Sequence, residues 1–183
     1  MINLLASFLI TMGTLHYSVP EDGGSNDWYK YNCTETYSYD CINHYPSAVA
    51  SETIRTYGAT ADDMYRMFFT DTFTGTYARE LIVHVGARKF FRRSEPASYD
   101  DPQLCLLFDH EDSVDYPDPL FIECFDLDGM TSEFSGVTSP PWTSASYWTA
   151  DEVNDLEIFF QCRSTHADVG CEVIETWMSA EEL

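Results

Sequence analysis

Five short apolar runs, each closed off by turn chemistry, constrain most tightly what this chain can fold into. Leu81–Val85, Leu104–Phe108, Leu120–Phe125, Leu156–Cys162 and Val173–Trp177 are all of strand length, and they alternate or run continuously apolar. Ser94-Glu95-Pro96, Tyr116-Pro117-Asp118-Pro119, Asp128-Gly129 and Ser139-Pro140-Pro141 separate them, with proline and glycine fixing backbone angles that a strand interior does not use. Half-buried strands need a second sheet to cover their apolar face, and 183 residues at 44% hydrophobic content bury one core. The pattern predicts a single, mainly β domain: an antiparallel β-sandwich, disulfide-stabilised, with one or two short helices. One helix is expected over Ala61–Phe69, where Thr60 can cap, Asp62 and Asp63 fill the first turn, and Met64, Met67 and Phe68 share a side. The other is a single turn at Thr149–Val153, a capping threonine followed by acids. Trp28–Tyr45 has no helical period and reads as strand and loop, and Asp128-Gly129 reads as a tight strand turn.

Ile2–Met12 is an apolar stretch too short to span a bilayer, followed by Gly13, Thr14 and a polar turn from Pro20 to Asn26. This layout predicts a secretory leader over residues 1–18 and a β-sandwich domain over 19–183. Export to the endoplasmic reticulum lumen and outside the cell gives the cysteines their meaning. Cys33, Cys41, Cys105, Cys124, Cys162 and Cys171 form an even set, which in an oxidising compartment predicts three disulfides, with all fifteen connectivities open. Asn32-Cys33-Thr34 is a glycosylation sequon consistent with the same route.

Thirty-one acids against nine Lys and Arg give a formal net charge of -22, and no Lys or Arg occurs from Ser94 to Cys162. A field of this sign repels nucleic acid and anionic lipid and attracts basic partners, although acidity also serves simply to keep a protein soluble. Four of the nine cations sit in Arg88-Lys89-Phe90-Phe91-Arg92-Arg93, which is expected to pair with neighbouring acids or to guard a sheet edge.

Catalytic and metal chemistry find little support. The chain has no nucleophile elbow, its five histidines lack catalytic context, and its abundant carboxylates make chance pairs unavoidable, so no enzyme and no cofactor are expected. Asp126-Leu127-Asp128-Gly129 fails as an EF-hand, because Cys124 and Ser135 stand where ligands belong. Cys162, His166 and Cys171 match no common zinc spacing. Trp142 and Trp148 flank a segment that follows the double proline, where they can plug the core or present a binding anchor.

The order of these motifs carries a resemblance. A strand ending in a basic turn (Glu80–Arg93) precedes a cysteine and an acidic, proline-containing loop (Cys105–Pro119) and then a strand with a second cysteine (Phe121–Asp126). Ser139-Pro140-Pro141-Trp142-Thr143, the Thr149–Glu152 helix start and the strand closing on Cys162 follow. From Glu80 to Cys162 the chain resembles the poxvirus immune-evasion family, secreted β-sandwich proteins that include viral chemokine-binding proteins and the parapoxvirus inhibitor of granulocyte-macrophage colony-stimulating factor. Family domains usually continue beyond the strand matching Leu156–Cys162, so the resemblance implies either that Trp28–Phe69 takes the place of the C-terminal strands or that the domain is shortened at its C-terminus. It also implies a secreted decoy that sequesters a host chemokine. By position, the acidic loop residues Asp109, Glu111, Asp112, Asp115 and Asp118 would meet the basic ligand, with Tyr116 as an aromatic contact. The alternative within the family is a binder of another host cytokine, such as granulocyte-macrophage colony-stimulating factor, in which Trp142 carries more of the contact. A third reading is a lipocalin-like carrier of a small ligand, suggested by the acidity, the cysteines and Gly170-Cys171-Glu172 with Trp177 near the end. That carrier requires a closed barrel, whereas a sandwich has a filled interior.

Overall fold

In the computed structural model, the structure describes residues 14–24, 28–43, 52–57, 64–110, 121–129, 133–138 and 147–183. Each of the five apolar runs is a strand. Twelve strands are present among the described residues: β1 (Leu15–Ser18), β2 (Pro20–Gly24), β3 (Tyr29–Tyr31), β4 (Thr53–Tyr57), β5 (Met64–Phe69), β6 (Tyr77–Phe91), β7 (Gln103–His110), β8 (Phe121–Asp126), β9 (Glu133–Thr138), β10 (Trp148–Thr149), β11 (Leu156–Arg163) and β12 (Val169–Glu182). A 3-10 turn at Tyr39–Cys41 and one helix, α1 (Ala150–Asn154), complete the set.

The strands form two antiparallel sheets. The first, seven-stranded, runs β10-β6-β12-β4-β3, with β1 also on β12 and β9 also on β6; the second, five-stranded, runs β2-β5-β11-β7-β8. The ladder of β6 with β12 is the backbone of the first sheet, pairing Val169 with Phe91 at one end and Glu182 with Ala78 at the other. Leu81, Val83, Val85 and Ala87 of β6 point inward to meet Tyr65, Met67 and Phe69 of β5, Leu104, Leu106 and Phe108 of β7, and Ile158 and Phe160 of β11, all buried. Burying such side chains stabilises the fold by about 1.5–3 kcal/mol each before the entropy of ordering them is set against it. No ladder joins the two sheets among the described residues, so the closed barrel that a lipocalin-like carrier needs is not formed by them.

All six cysteines are paired, each with its neighbour in sequence. Cys33 joins Cys41, Cys105 joins Cys124 across the β7–β8 ladder, and Cys162 joins Cys171. The last bond ties β11 of the second sheet to β12 of the first, inside the core. Crosslinking so short a loop contributes roughly 2–3 kcal/mol by restricting the unfolded chain. On the outer face of the second sheet, Cys105, Leu107 and Phe159 form a smaller buried cluster against Met64 and Cys124.

α1 begins as its sequence dictates. The Thr149 hydroxyl accepts from the Glu152 amide while the Glu152 carboxylate accepts from the Thr149 amide, a complete capping box. Asn154, at the end of α1, clasps the backbone of Phe73 in both directions, at 3.2 and 3.0 Å.

Two expectations are corrected. Met64–Phe69 is a strand rather than part of a helix: Tyr65, Met67 and Phe69 are buried at period two, and pairing with β11 outweighs the weaker i to i+4 match of Met64 with Phe68. Asp128-Gly129 does not close a hairpin, because β8 and β9 lie in different sheets and the chain there crosses the sandwich. Of the two roles expected for the Arg88–Arg93 segment, internal pairing is met: Arg88 pairs with Glu172 and Lys89 with Asp101.

Leu15–Ser18, within the span read as leader, is β1 and pairs with Met178–Glu181. Ser18 is buried and hydrogen-bonded to Thr72, Tyr17 packs its ring against Trp177 at 5.6 Å, and the Thr14 carbonyl accepts from the Glu182 amide. A chain starting after Ser18 is therefore expected to be less stable than one starting after Gly13 by about 2 kcal/mol or more, a drop in Tm of roughly 4–8 °C. Equal melting temperatures for the two truncations would contradict a structural role for β1.

Candidate functional site

Three strand ends of the second sheet build an acidic cleft. β8 and β11 finish on either side of the start of β7, in register through Asp126, Gln103 and Arg163, and their parity turns these three side chains to the outer face. The Gln103 side-chain amide donates to Asp126 at 2.8 Å, and Arg163 Nε donates to Gln161 at 2.9 Å. Loops raise the walls. Tyr99, Asp100 and Asp101 precede β7, Asp128 follows β8, and Ser164 and Thr165 follow β11, together enclosing an open cleft of about 880 Å³. The Leu127 amide bonds the Pro102 carbonyl at 2.8 Å and Thr165 donates to Asp100 at 3.2 Å, so opposite walls are joined.

Four carboxylates face one guanidinium here. Of the four aspartates only Asp101 has an ion pair among the described residues, with Lys89 at 2.6 Å. The hydrogen bond to Asp101 outweighs burial and holds the Lys89 ammonium above the usual lysine range, so it stays charged at physiological pH. Lys89 also sits 5.4 Å from the Tyr99 ring centroid, and Tyr99 donates its hydroxyl to Glu95. The mouth thus offers uncompensated carboxylates beside an aromatic ring, a combination suited to a cationic side chain. No group of three or more His, Cys, Asp or Glu among the described residues is arranged to hold a metal ion.

A second charged constellation lies on the outer face of the first sheet. Glu172 of β12 is buried, and its carboxylate binds across three strands: Thr53 at 2.7 Å and Arg55 at 2.8 and 2.6 Å from β4, and Arg88 from β6. Arg55 lies 3.2 Å from the Tyr31 ring centroid and 4.9 Å from that of Phe90. Burial pushes the Glu172 carboxyl up, but the hydrogen bonds from Arg88, Thr53 and Arg55 outweigh it and hold the group below its ordinary value. Gly170 makes this approach of β4 possible, since a Cβ there would stand 2.0 Å from the Thr56 carbonyl oxygen.

Of the residues expected to contact a partner, Asp109 lies in β7 opposite Glu157. Its side chain, together with Glu111, Asp112, Asp115, Tyr116, Asp118 and Trp142, lies outside the described residues. Trp148, at the other end of the aromatic segment, is buried in the core. Asn32 of the sequon is exposed and has a left-handed backbone (φ 54°), a conformation asparagine tolerates. No helix among the described residues is long and apolar enough to cross a membrane, and three formed disulfides are what an oxidising compartment permits. Sequence weighed Asp126 and Asp128 only as calcium ligands and did not group the cleft aspartates, because the cleft draws on three separate stretches.

No protein-family model and no curated protein matches the chain. Among solved structures it is similar to the xylan-binding module CBM15, at 10% identity and a TM-score of 0.42, covering 93% of this chain and 99% of that one. It is also similar to TmCBM61 in complex with β-1,4-galactotriose, at 7% identity and a TM-score of 0.40, covering 91% and 88%. A third likeness, to the enzymatically active domain of bacteriophage CBA120 tailspike protein 4, has 11% identity and a TM-score of 0.39, covering 91% of this chain but 19% of that one. Likeness at this level carries no argument about function.

The Glu172 cluster predicts a pH dependence. A carboxyl whose folded pKa is depressed contributes stability that is fully present above its unfolded value, near 4.5, and is lost as pH falls through the folded value. The stability advantage of the native protein over Glu172→Gln is therefore expected to be greatest near pH 7 and to shrink below about pH 4.5. A difference that stays constant from pH 7 to pH 3 in denaturant melts would contradict this assignment.

Proposed function

We propose that this chain is a secreted β-sandwich protein, glycosylated at Asn32, that captures a basic host chemokine through its acidic surface and so keeps the chemokine from its receptor. The observation that carries this reading is how the charge is distributed. Arg55 and Arg88 engage Glu172, Arg66 engages Glu157 and Lys89 engages Asp101, so the best-placed cations serve acids of the fold itself. Asp100, Asp126 and Asp128 are left lining a cleft without ion pairs among the described residues. A net charge of -22 favours encounter with a basic protein, and uncompensated carboxylates beside Tyr99 supply contacts for its Lys or Arg side chains. The resemblance to the poxvirus immune-evasion family supports the same reading and adds Asp109, Glu111, Asp112, Asp115, Tyr116 and Asp118 as contacts, with the cleft as a second acidic element.

The test begins with a panel of host chemokines and cytokines presented to the purified protein, and is completed by two sets of substitutions. Asp126→Asn with Asp128→Asn alters the cleft while keeping an oxygen to accept from Gln103. Asp109, Glu111, Asp112, Asp115 and Asp118 changed to Asn or Gln alter the loop. Each set is expected to slow association about 3- to 10-fold while changing dissociation less, with Tm within about 2 °C of the parent. Binding to no chemokine removes the proposal. Capture of a non-basic cytokine, lost on Trp142→Ala, replaces it with the cytokine-binding alternative.

A further inference from the structure

The outer face of the first sheet carries a cation that the fold does not need for neutrality. One guanidinium balances the buried Glu172 carboxylate, yet two converge on it. Arg55 uses Nε and one Nη, and Arg88 uses Nε alone. The second Nη of Arg55 and both Nη of Arg88 have no hydrogen-bond partner among the described residues, and the two side chains are 13% and 28% exposed. Their positions are fixed: the Tyr31 and Phe90 rings flank Arg55, and Arg88 stands in β6 directly opposite Glu172 of β12. The plain structural reading, compensation of a buried acid, accounts for one arginine and leaves the other.

We propose that Arg55 and Arg88 form a receiving site for an anionic group, a carboxylate or a sulfate carried by a ligand. Planar guanidinium forks match the paired oxygens of both groups, and the exposed Tyr31 ring beside them offers a surface for whatever carries the anion. The site lies on the opposite sheet from the acidic cleft and does not depend on capture of a basic protein. It sits in a molecule of strongly negative charge, so free anions are repelled at long range and the pairing acts at contact, where salt weakens it little.

The experiment follows the arginine Nε–Hε signals of the intact 15N-labelled protein during titration with sodium acetate or sodium sulfate, with sodium chloride holding ionic strength constant. Arg55 and Arg88 are expected to shift saturably while the other arginines do not. Saturation by acetate alone identifies a carboxylate site, and by sulfate alone a sulfate site. Arg88→Met keeps the aliphatic stem and leaves Glu172 bonded to Arg55 and Thr53; it is expected to weaken binding about fivefold or more. Glu172→Gln keeps the shape and releases both guanidiniums, and is expected to tighten binding about threefold. Should Arg88→Met not fold, Arg88→Lys, which retains charge without the fork, is expected to weaken binding at least about twofold. Unsaturable shifts shared by all arginines, or Arg88 variants that bind as the parent does, would overturn the site.

Discussion

Scarcity of cations is the constraint from which much of this structure follows. Nine Lys and Arg must serve 31 acids, and a carboxylate taken out of water without a partner is far more costly than one left at the surface. The fold places acids at 172 and 157 within strands of its two sheets and supplies each with guanidinium. Arg55, Arg66 and Arg88 are thereby committed to holding β4, β5 and β6 to β12 and β11. What remains outside is an acid excess, part of which lines the cleft at the ends of β8 and β11 and the start of β7.

The same arrangement couples stability to recognition. The Cys162–Cys171 bond fixes β11 against β12, and β11 in turn orders β7 and β8, whose residues Gln103 and Asp126 line the cleft. Lys89 links the two sheets electrostatically: it belongs to β6, yet its ammonium reaches Asp101 in the cleft wall. Under the proposed capture, a partner would meet strand ends and loop walls already joined by the Leu127–Pro102 and Thr165–Asp100 hydrogen bonds, which lowers the ordering cost of association.

Much of the sandwich was legible because strand signals are local. Leu81–Val85 and Leu156–Cys162 declare themselves by apolar runs, and Thr149 with Glu152 declares a helix start through four residues of sequence. Met64–Phe69 misled because six residues with Met64 and Phe68 four apart satisfy both periods, and only the partner strand β11 decides between them. The even cysteine set predicted three disulfides but not which, since connectivity depends on which strands cross. The sites were least legible. Residues 99–103, 126–128 and 163–165 meet only after the second sheet forms, and Arg55 finds Glu172 across a separation of 117 residues. Charge alone flagged the acids; nothing local marked which would gather.

Electrostatic capture has a direct signature in rate. The association rate constant of the purified protein with a basic chemokine, measured by stopped flow from about 20 to 300 mM sodium chloride, is predicted to fall by about tenfold or more while dissociation changes much less. An association rate that stays flat across that range would contradict the claim that the acidic surface draws the partner in.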